Sequence, residues 1–262
     1  MLTEIYIIYA VVILPIIILM SYVYKKDLYP EDKQEVFITF LLGASTVLFL
    51  DFIIPLVEVI KETFFTGLGK EFFYAFFRAA TLEESLKFLV LYYYASHLKN
   101  FNEPMDAVVF ATAASLGFAA IENVDYVFLN TESSTEAFGV AFARAFSAVP
   151  LHGLNGVIMG LFFGLALFNK KDNEKYLFLA LVIPIFIHGL YNFVLSINIG
   201  ILIYVILIVL FYRTSNIFDQ LRLEQHSKGS EIWDRNYVIV PSDIYTNILK
   251  ISAVIVFVSL II

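Results

Sequence analysis

Two adjacent glutamates, Glu83 and Glu84, stand with Lys87 in the middle of an otherwise apolar stretch, "RAATLEESLKFLVLYYYAS", running from Arg78 to Ser96. On a helix, side chains three or four residues apart can meet. Lys87 is therefore within reach of both glutamates, and pairing with one leaves the other freer. Three more apolar stretches carry similar decorations. "DAVVFATAASLGFAAIENVDYVF" places Phe118 and Glu122 four apart, followed by Asn123 and Asp125. "RAFSAVPLHGLNGVIMGLFFGLALF" holds His152, with Asn155 one turn on, and "LVIPIFIHGLYNFVL" holds His188 and Asn192 at i and i+4. An ionisable group inside a membrane span costs at least about 2.5 kcal/mol and faces the bundle interior or a water-filled cavity. Each decoration alone admits a bland account: an ion pair that fixes packing, an interfacial carboxylate in water, a hydrogen-bonded histidine. For Asp125, near the end of its stretch, the bland account is preferred. Four decorations at compatible depths favour one shared site.

Two histidines and several carboxylates support two chemistries. His152, His188 and one carboxylate, Glu122 or Glu84, suffice as three ligands for a divalent metal such as zinc, with water in the fourth place. Without metal, a desolvated glutamate deprotonates water while histidine and asparagine stabilise the oxyanion. Either route hydrolyses an amide, so the cofactor is none or a divalent metal. The chain has no HExxH zinc helix, no GxSxG nucleophile elbow and no GxGD aspartyl motif.

These residues must be positioned by membrane helices. The 262-residue chain is 60% hydrophobic and 16% charged, with a mean hydropathy of +0.81. A spanning helix needs about 20 mostly apolar residues. Eight stretches qualify, roughly 5–24, 36–60, 72–96, 105–129, 146–168, 176–197, 199–213 and 248–262, the last two being short. The expected fold is an all-α polytopic bundle of about eight transmembrane helices in one domain, 1–262, with a core at about 70–197. The segment before Pro150 reads as an amphipathic helix or an extension of the fifth span. The N-terminal run lacks a basic leader and a cleavage site and reads as a retained anchor. In the fifth span, Gly156, Gly160 and Gly164 form a stripe for a close neighbour, and the fourth is thinned by alanines and Gly117.

Lysine and arginine fix the expected orientation. Twelve fall on one side, including Lys25, Lys26, Lys33, Lys99, Lys170, Lys171 and Lys175; only Lys61 and Lys70 fall on the other. The first side is read as cytoplasmic, with both termini extracytoplasmic and a cytoplasmic loop at about 214–247 that contains Trp233. The candidate site then lies in the outer half. The net charge of −7 offers no basic patch for nucleic acid, and the absence of cysteine excludes disulfides and thiolate chemistry.

At E83-E84-x-x-K87, F118-x-x-x-E122-N123, H152 and H188-x-x-x-N192 the chain resembles the PrsW family of intramembrane proteases, within the wider CAAX-protease and Abi superfamily of glutamate proteases. The resemblance covers about residues 70–197. It implies cleavage of a membrane-anchored protein in the cell membrane, of the kind that makes the first, extracytoplasmic cut in a single-pass anti-sigma factor. It implies Glu83 as the water-activating base and Glu84 as its partner, tied to Lys87. His152 and His188 become ligands or oxyanion stabilisers, and Glu122 belongs to the same set. Phe118, Asn123, Asn155 and Asn192 become supporting or substrate-binding residues. The CAAX branch carries histidine where this chain has Glu122, which favours the PrsW branch. The resemblance leaves metal dependence open. Two other readings stand beside it: a proton-coupled transporter relaying through the carboxylates, and a silent scaffold binding a partner helix along the glycine stripe. Oligomeric state is not legible.

Overall fold

The computed structural model describes residues 2–169, 172–228 and 241–262. They form an all-helical polytopic bundle, with no strand among the described residues. Six helical stretches are long and apolar enough to cross a membrane: Glu4–Lys26, Lys33–Phe64, Pro104–Leu129, Ser134–Phe168, Asn173–Ser196 and Ile201–Ser227. The other two expected spans take different forms. The third is a helical rod from Gly67 to Tyr93, made of α4 (Gly67–Phe72), a π-helical stretch (Phe73–Thr81) and α5 (Leu82–Tyr93). Arg78, Glu83, Glu84 and Lys87 lie within it, so it is held by burial of its polar face rather than by uniform apolarity. The eighth is the short apolar part, Ile248–Ile261, of α11 (Pro241–Ile261).

α6 (Pro104–Val124) is the centre of the bundle. In its apolar window 78% of residues are buried, against 17% in the first helix, α1 (Leu2–Lys26), which turns Ile13, Ile17 and Ile18 outward. α6 starts on a capping box between Glu103 and Asp106 with Pro104 in the first turn, a geometry that satisfies backbone N–H groups left open at a helix start. The alanine-rich body of α6 lets two neighbours approach backbone to backbone. On one side lies α2 (Lys33–Ser45), where a methyl group built on Gly43 would fall 2.1 Å from the carbonyl oxygen of Ala114. On the other lies α8 (Ala148–Phe168), where a methyl on Gly160 would fall 2.4 Å from Cα of Val108. The glycine stripe of α8 is thus filled by the chain's own α6. Gly160→Ala is expected to lower stability by about 1–3 kcal/mol, the usual cost of overpacking, read as a fall in the thermal midpoint. Gly139→Ala is the control: nothing lies within 4 Å of its added methyl. Equal midpoints for the two variants would contradict this packing.

The expected 214–247 loop differs from the sequence reading at both ends, and the segment before Pro150 takes one of its two expected forms. The seventh helix, α10 (Ile201–Lys228), is 28 residues long and runs far past residue 213. Its second half is polar, but Thr214, Phe218, Leu221 and Gln225 fall on one buried stripe at helical spacing. Hydropathy alone does not detect such a stripe. The expected 214–247 loop is therefore helical as far as Lys228 and again from Pro241, where α11 starts; Trp233 and the stretch 229–240 lie outside the described residues. The segment before Pro150 is a separate amphipathic helix, α7 (Ser134–Phe146), which buries Ala137, Ala141 and Ala145. Its start is capped by Ser133, whose hydroxyl accepts a hydrogen bond from the Glu136 amide. The break to α8 falls at Ser147, whose Oγ receives a hydrogen bond from the Tyr191 hydroxyl of α9 (Asn173–Ser196) at 3.1 Å.

Candidate active site

The π-helical stretch ends two residues before Glu83. Wider π-helical turns rotate the following residues relative to an ideal α-helix and recur at functional sites. Here Thr81 closes the stretch by donating to the Phe76 carbonyl at 2.7 Å. Phe76 lies over Gly189, one residue past His188, and a methyl on Gly189 would sit 2.3 Å from the ring. The close fit of this stretch to α9 sets the two glutamates against His188.

Lys87 is the hub. It is completely buried and donates to Glu84 Oε1 at 2.8 Å and to His152 Nδ1 at 3.0 Å, with its ammonium 4.2 Å from the centre of the Phe118 ring. An ammonium can only donate, so Nδ1 of His152 accepts and the ring proton sits on Nε2. That Nε2 faces Glu122 Oε2 at 2.9 Å. Glu122 also accepts from Arg144 Nη2 at 2.7 Å, and Arg144 Nε donates to Asn123 Oδ1 at 2.6 Å. His188 Nδ1 donates to Glu84 Oε1 at 2.8 Å, which in the neutral ring leaves the lone pair on Nε2. Nε2 faces Glu83 Oε2 at 3.8 Å, too far for a hydrogen bond. The two imidazoles stand at right angles with centroids 5.1 Å apart.

Glu83 differs from its neighbours. Its Oε2 is buried without a hydrogen-bond partner, and its nearest cation, Lys87, is 3.9 Å away. Glu84 Oε2 is also unpaired, but Oε1 of the same carboxylate accepts two bonds. A cavity of about 100 Å³ opens between these groups, lined by Glu83, Glu122, Arg144, His152, His188 and Asn192 among others.

Glu83, Glu84, Lys87, Glu122, His152 and His188 thus come together from four helices. The other named positions support them. Phe118 floors the Lys87 ammonium, and Asn123 holds Arg144. Asn155 sits deeper and donates to the Pro184 carbonyl of α9 at 3.1 Å, tying α8 to α9 at a helix-internal proline. Asn192 lines the cavity, while the group that orients His188 is Glu84. Asp125 lies on the exposed surface. The sequence offers Glu122 or Glu84 as the carboxylate to join the two histidines; in the structure Glu83 also has an oxygen within 4.8 Å of a nitrogen of each imidazole. Glu122 is committed to Arg144, and Glu84 to Lys87.

Sequence reasoning missed Arg144, Tyr126 and Tyr191. Arg144 stacks over Tyr126 at 4.3 Å, and all three line the cavity. A signal was available for Arg144: it is an ionisable group in an apolar helix, the same criterion that singled out Glu83 and Glu122.

Comparison with known proteins gives a consistent result. A family model described as PrsW family intramembrane metalloprotease matches residues 31–214. Protease PrsW of Bacillus subtilis is 37% identical over 188 residues, covering 70% of this chain and 80% of that protein. Protease PrsW of Clostridioides difficile is 33% identical over 224 residues, covering 82% and 91%. The Oceanobacillus iheyensis protein of the same name is 36% identical over 184 residues, covering 70% and 80%. No solved structure matches the chain.

Proposed function

Because the chain belongs to the PrsW family and is an intramembrane protease, we propose that Glu83 activates the water that cleaves a membrane-anchored protein substrate. The observation that carries this reading is the unpaired Glu83 Oε2 opposite the His188 Nε2 lone pair, at the wall of the cavity. Every other carboxylate there is engaged by a cation.

In the reaction, Glu83 takes a proton from water, and the water oxygen adds to the scissile carbonyl carbon. The oxyanion that forms is met by Arg144, whose guanidinium carries five N–H donors and uses two of them on Glu122 and Asn123. Collapse breaks the C–N bond, and the proton held by Glu83 passes to the leaving amine. Glu84 holds His188 with its Nε2 lone pair toward the cavity, and Lys87 holds Glu84.

The family description names a metal, and the residues fit one. Two imidazoles and a carboxylate with converging donor atoms are a zinc-class ligand set. The Glu84–His188 bond is the outer support that liganding histidines normally have. Glu83, His188 and His152 would hold the ion, His152 by exchanging one of its present partners. A metal there supplies Lewis acidity at the water and the scissile carbonyl.

The substrate class is a single-pass membrane protein, cut near the extracytoplasmic end of its span as in site-1 cleavage of an anti-sigma factor. The asymmetric distribution of lysine and arginine supports this side. Co-expression with candidate single-pass substrates should yield a cut mapping to the extracytoplasmic half by mass spectrometry. Reporter fusions after Pro30 and Asn100 should read cytoplasmic, and those after Thr66 and Ser133 extracytoplasmic. A reversed reporter pattern overturns the sidedness; no cleavage of any single-pass substrate overturns the substrate class.

A further inference from the structure

At the start of α6, about 24 Å along the helix from Glu122 by the 1.5 Å rise, lies a second set of buried acids. Asp27 follows the last turn of α1, Glu31 sits in the loop to α2, and Glu103 and Asp106 form the capping box of α6. All four are at least nine-tenths buried, with Asp106 at 0% exposure. No lysine, arginine or histidine pairs with any of them among the described residues.

Their hydrogen bonds are arranged asymmetrically. Asp106 Oδ2 accepts from the amides of Asn102 and Glu103, while Oδ1 has no partner. Asp27 Oδ1 accepts from the Tyr29 amide and from Gln225 Nε2, while Oδ2 has none. Glu31 Oε2 is likewise unpaired. Gln225, on α10, donates to both Asp27 and Glu103 and so fixes two carboxylates at once. The Tyr24 hydroxyl pins the loop by donating to the Glu31 carbonyl at 2.7 Å. One oxygen of each of Asp27, Glu103 and Asp106 is thus used to orient the group, and completely buried acceptors are left over on Asp27, Glu31 and Asp106. One oxygen each from Asp27, Glu103 and Asp106 lies within 4.8 Å of the others. A calcium-class ion binds oxygen at about 2.3–2.6 Å, so ligands across it stand up to about 5 Å apart.

We propose that Asp27, Glu103 and Asp106 bind one hard divalent cation of the calcium–magnesium class, with Glu31 beside them, stapling α1, α6 and α10. The donor set is all oxygen, which selects hard cations over zinc. The charge requires neutralising: four carboxylates are buried together here, and a buried charge is costly unless a partner or a metal offsets it. The site is separate in donor chemistry from the imidazole-containing one, and the ion would set the position of the helix that carries Glu122.

The test uses the full chain in detergent, stripped with a chelator, and reads bound Mn²⁺ by electron paramagnetic resonance. To silence the other cluster, the background is Glu83→Gln/His188→Ala. One equivalent of Mn²⁺ should bind, be displaced by Ca²⁺ or Mg²⁺, and raise the thermal midpoint. Adding Asp27→Asn/Asp106→Asn should abolish both effects. Should that variant fail to fold by circular dichroism, Glu103→Gln decides, with an expected loss of at least tenfold in affinity. Absence of Mn²⁺ binding in the background protein, or binding that Asp27→Asn/Asp106→Asn or Glu103→Gln leaves unchanged, overturns the proposal. A midpoint that rises in the stripped Asn variant and does not respond to cations in the background protein overturns it too, and marks a cluster that only shares protons.

Discussion

Exchanging Glu83 for glutamine is expected to reduce kcat/KM for peptide-bond cleavage by about 10²–10⁴-fold, the range general-base removal commonly produces. The thermal midpoint should hardly move. Glutamine keeps the shape and loses the basicity, and Glu83 makes no hydrogen bond whose loss would weaken the fold. Its nearest basic neighbours, Lys87 and His188, are 3.9 Å and 3.8 Å away. Removing a buried carboxylate that lacks a close partner can even be stabilising. Glu84→Gln is the contrast, since that carboxylate accepts from both Lys87 and His188 and its loss should lower activity and stability together. Cleavage of a reconstituted single-pass substrate, measured beside thermal unfolding, separates the two. Near-normal turnover by Glu83→Gln would remove the base assignment. A collapse of the midpoint would show that Glu83 holds structure instead.

Lys87→Met should destabilise the protein by about 3–5 kcal/mol, the cost of leaving a buried charge without its partner. Glu84 is completely buried and its cation is Lys87, so the variant strands an anion in the bundle centre. It also removes the donor that sets the His152 tautomer. Lys87→Met/Glu84→Gln should recover most of the stability, because a neutral amide no longer needs the ammonium. It should not recover cleavage, since His152 and His188 both lose their orienting partners. A double-mutant cycle read by thermal unfolding gives the coupling. Additive single effects would mean that the ion pair contributes little.

The sequence by itself determined whatever is local to one helix. Apolar length marked most of the spans, because a span is a property of consecutive residues. The Glu83–Glu84–Lys87 spacing dictated that one glutamate meets the lysine, since reach at three and four residues is set by helical pitch. The glycine stripe on α8 announced a close neighbour. The tertiary structure decided everything that depends on how helices are rotated and stacked. It chose Glu84 over Glu83 for Lys87, and it filled the stripe with α6, where backbones meet without intervening side chains. It placed Arg144, from the separate helix α7, on the same Glu122 oxygen that pairs with His152, and it brought Glu83 within reach of both imidazoles. The physical reason is that phase and depth between helices are set by side-chain packing, the π-helical stretch and the break at Ser147. Their combined effect on a site between four helices is not encoded in any one spacing along the chain.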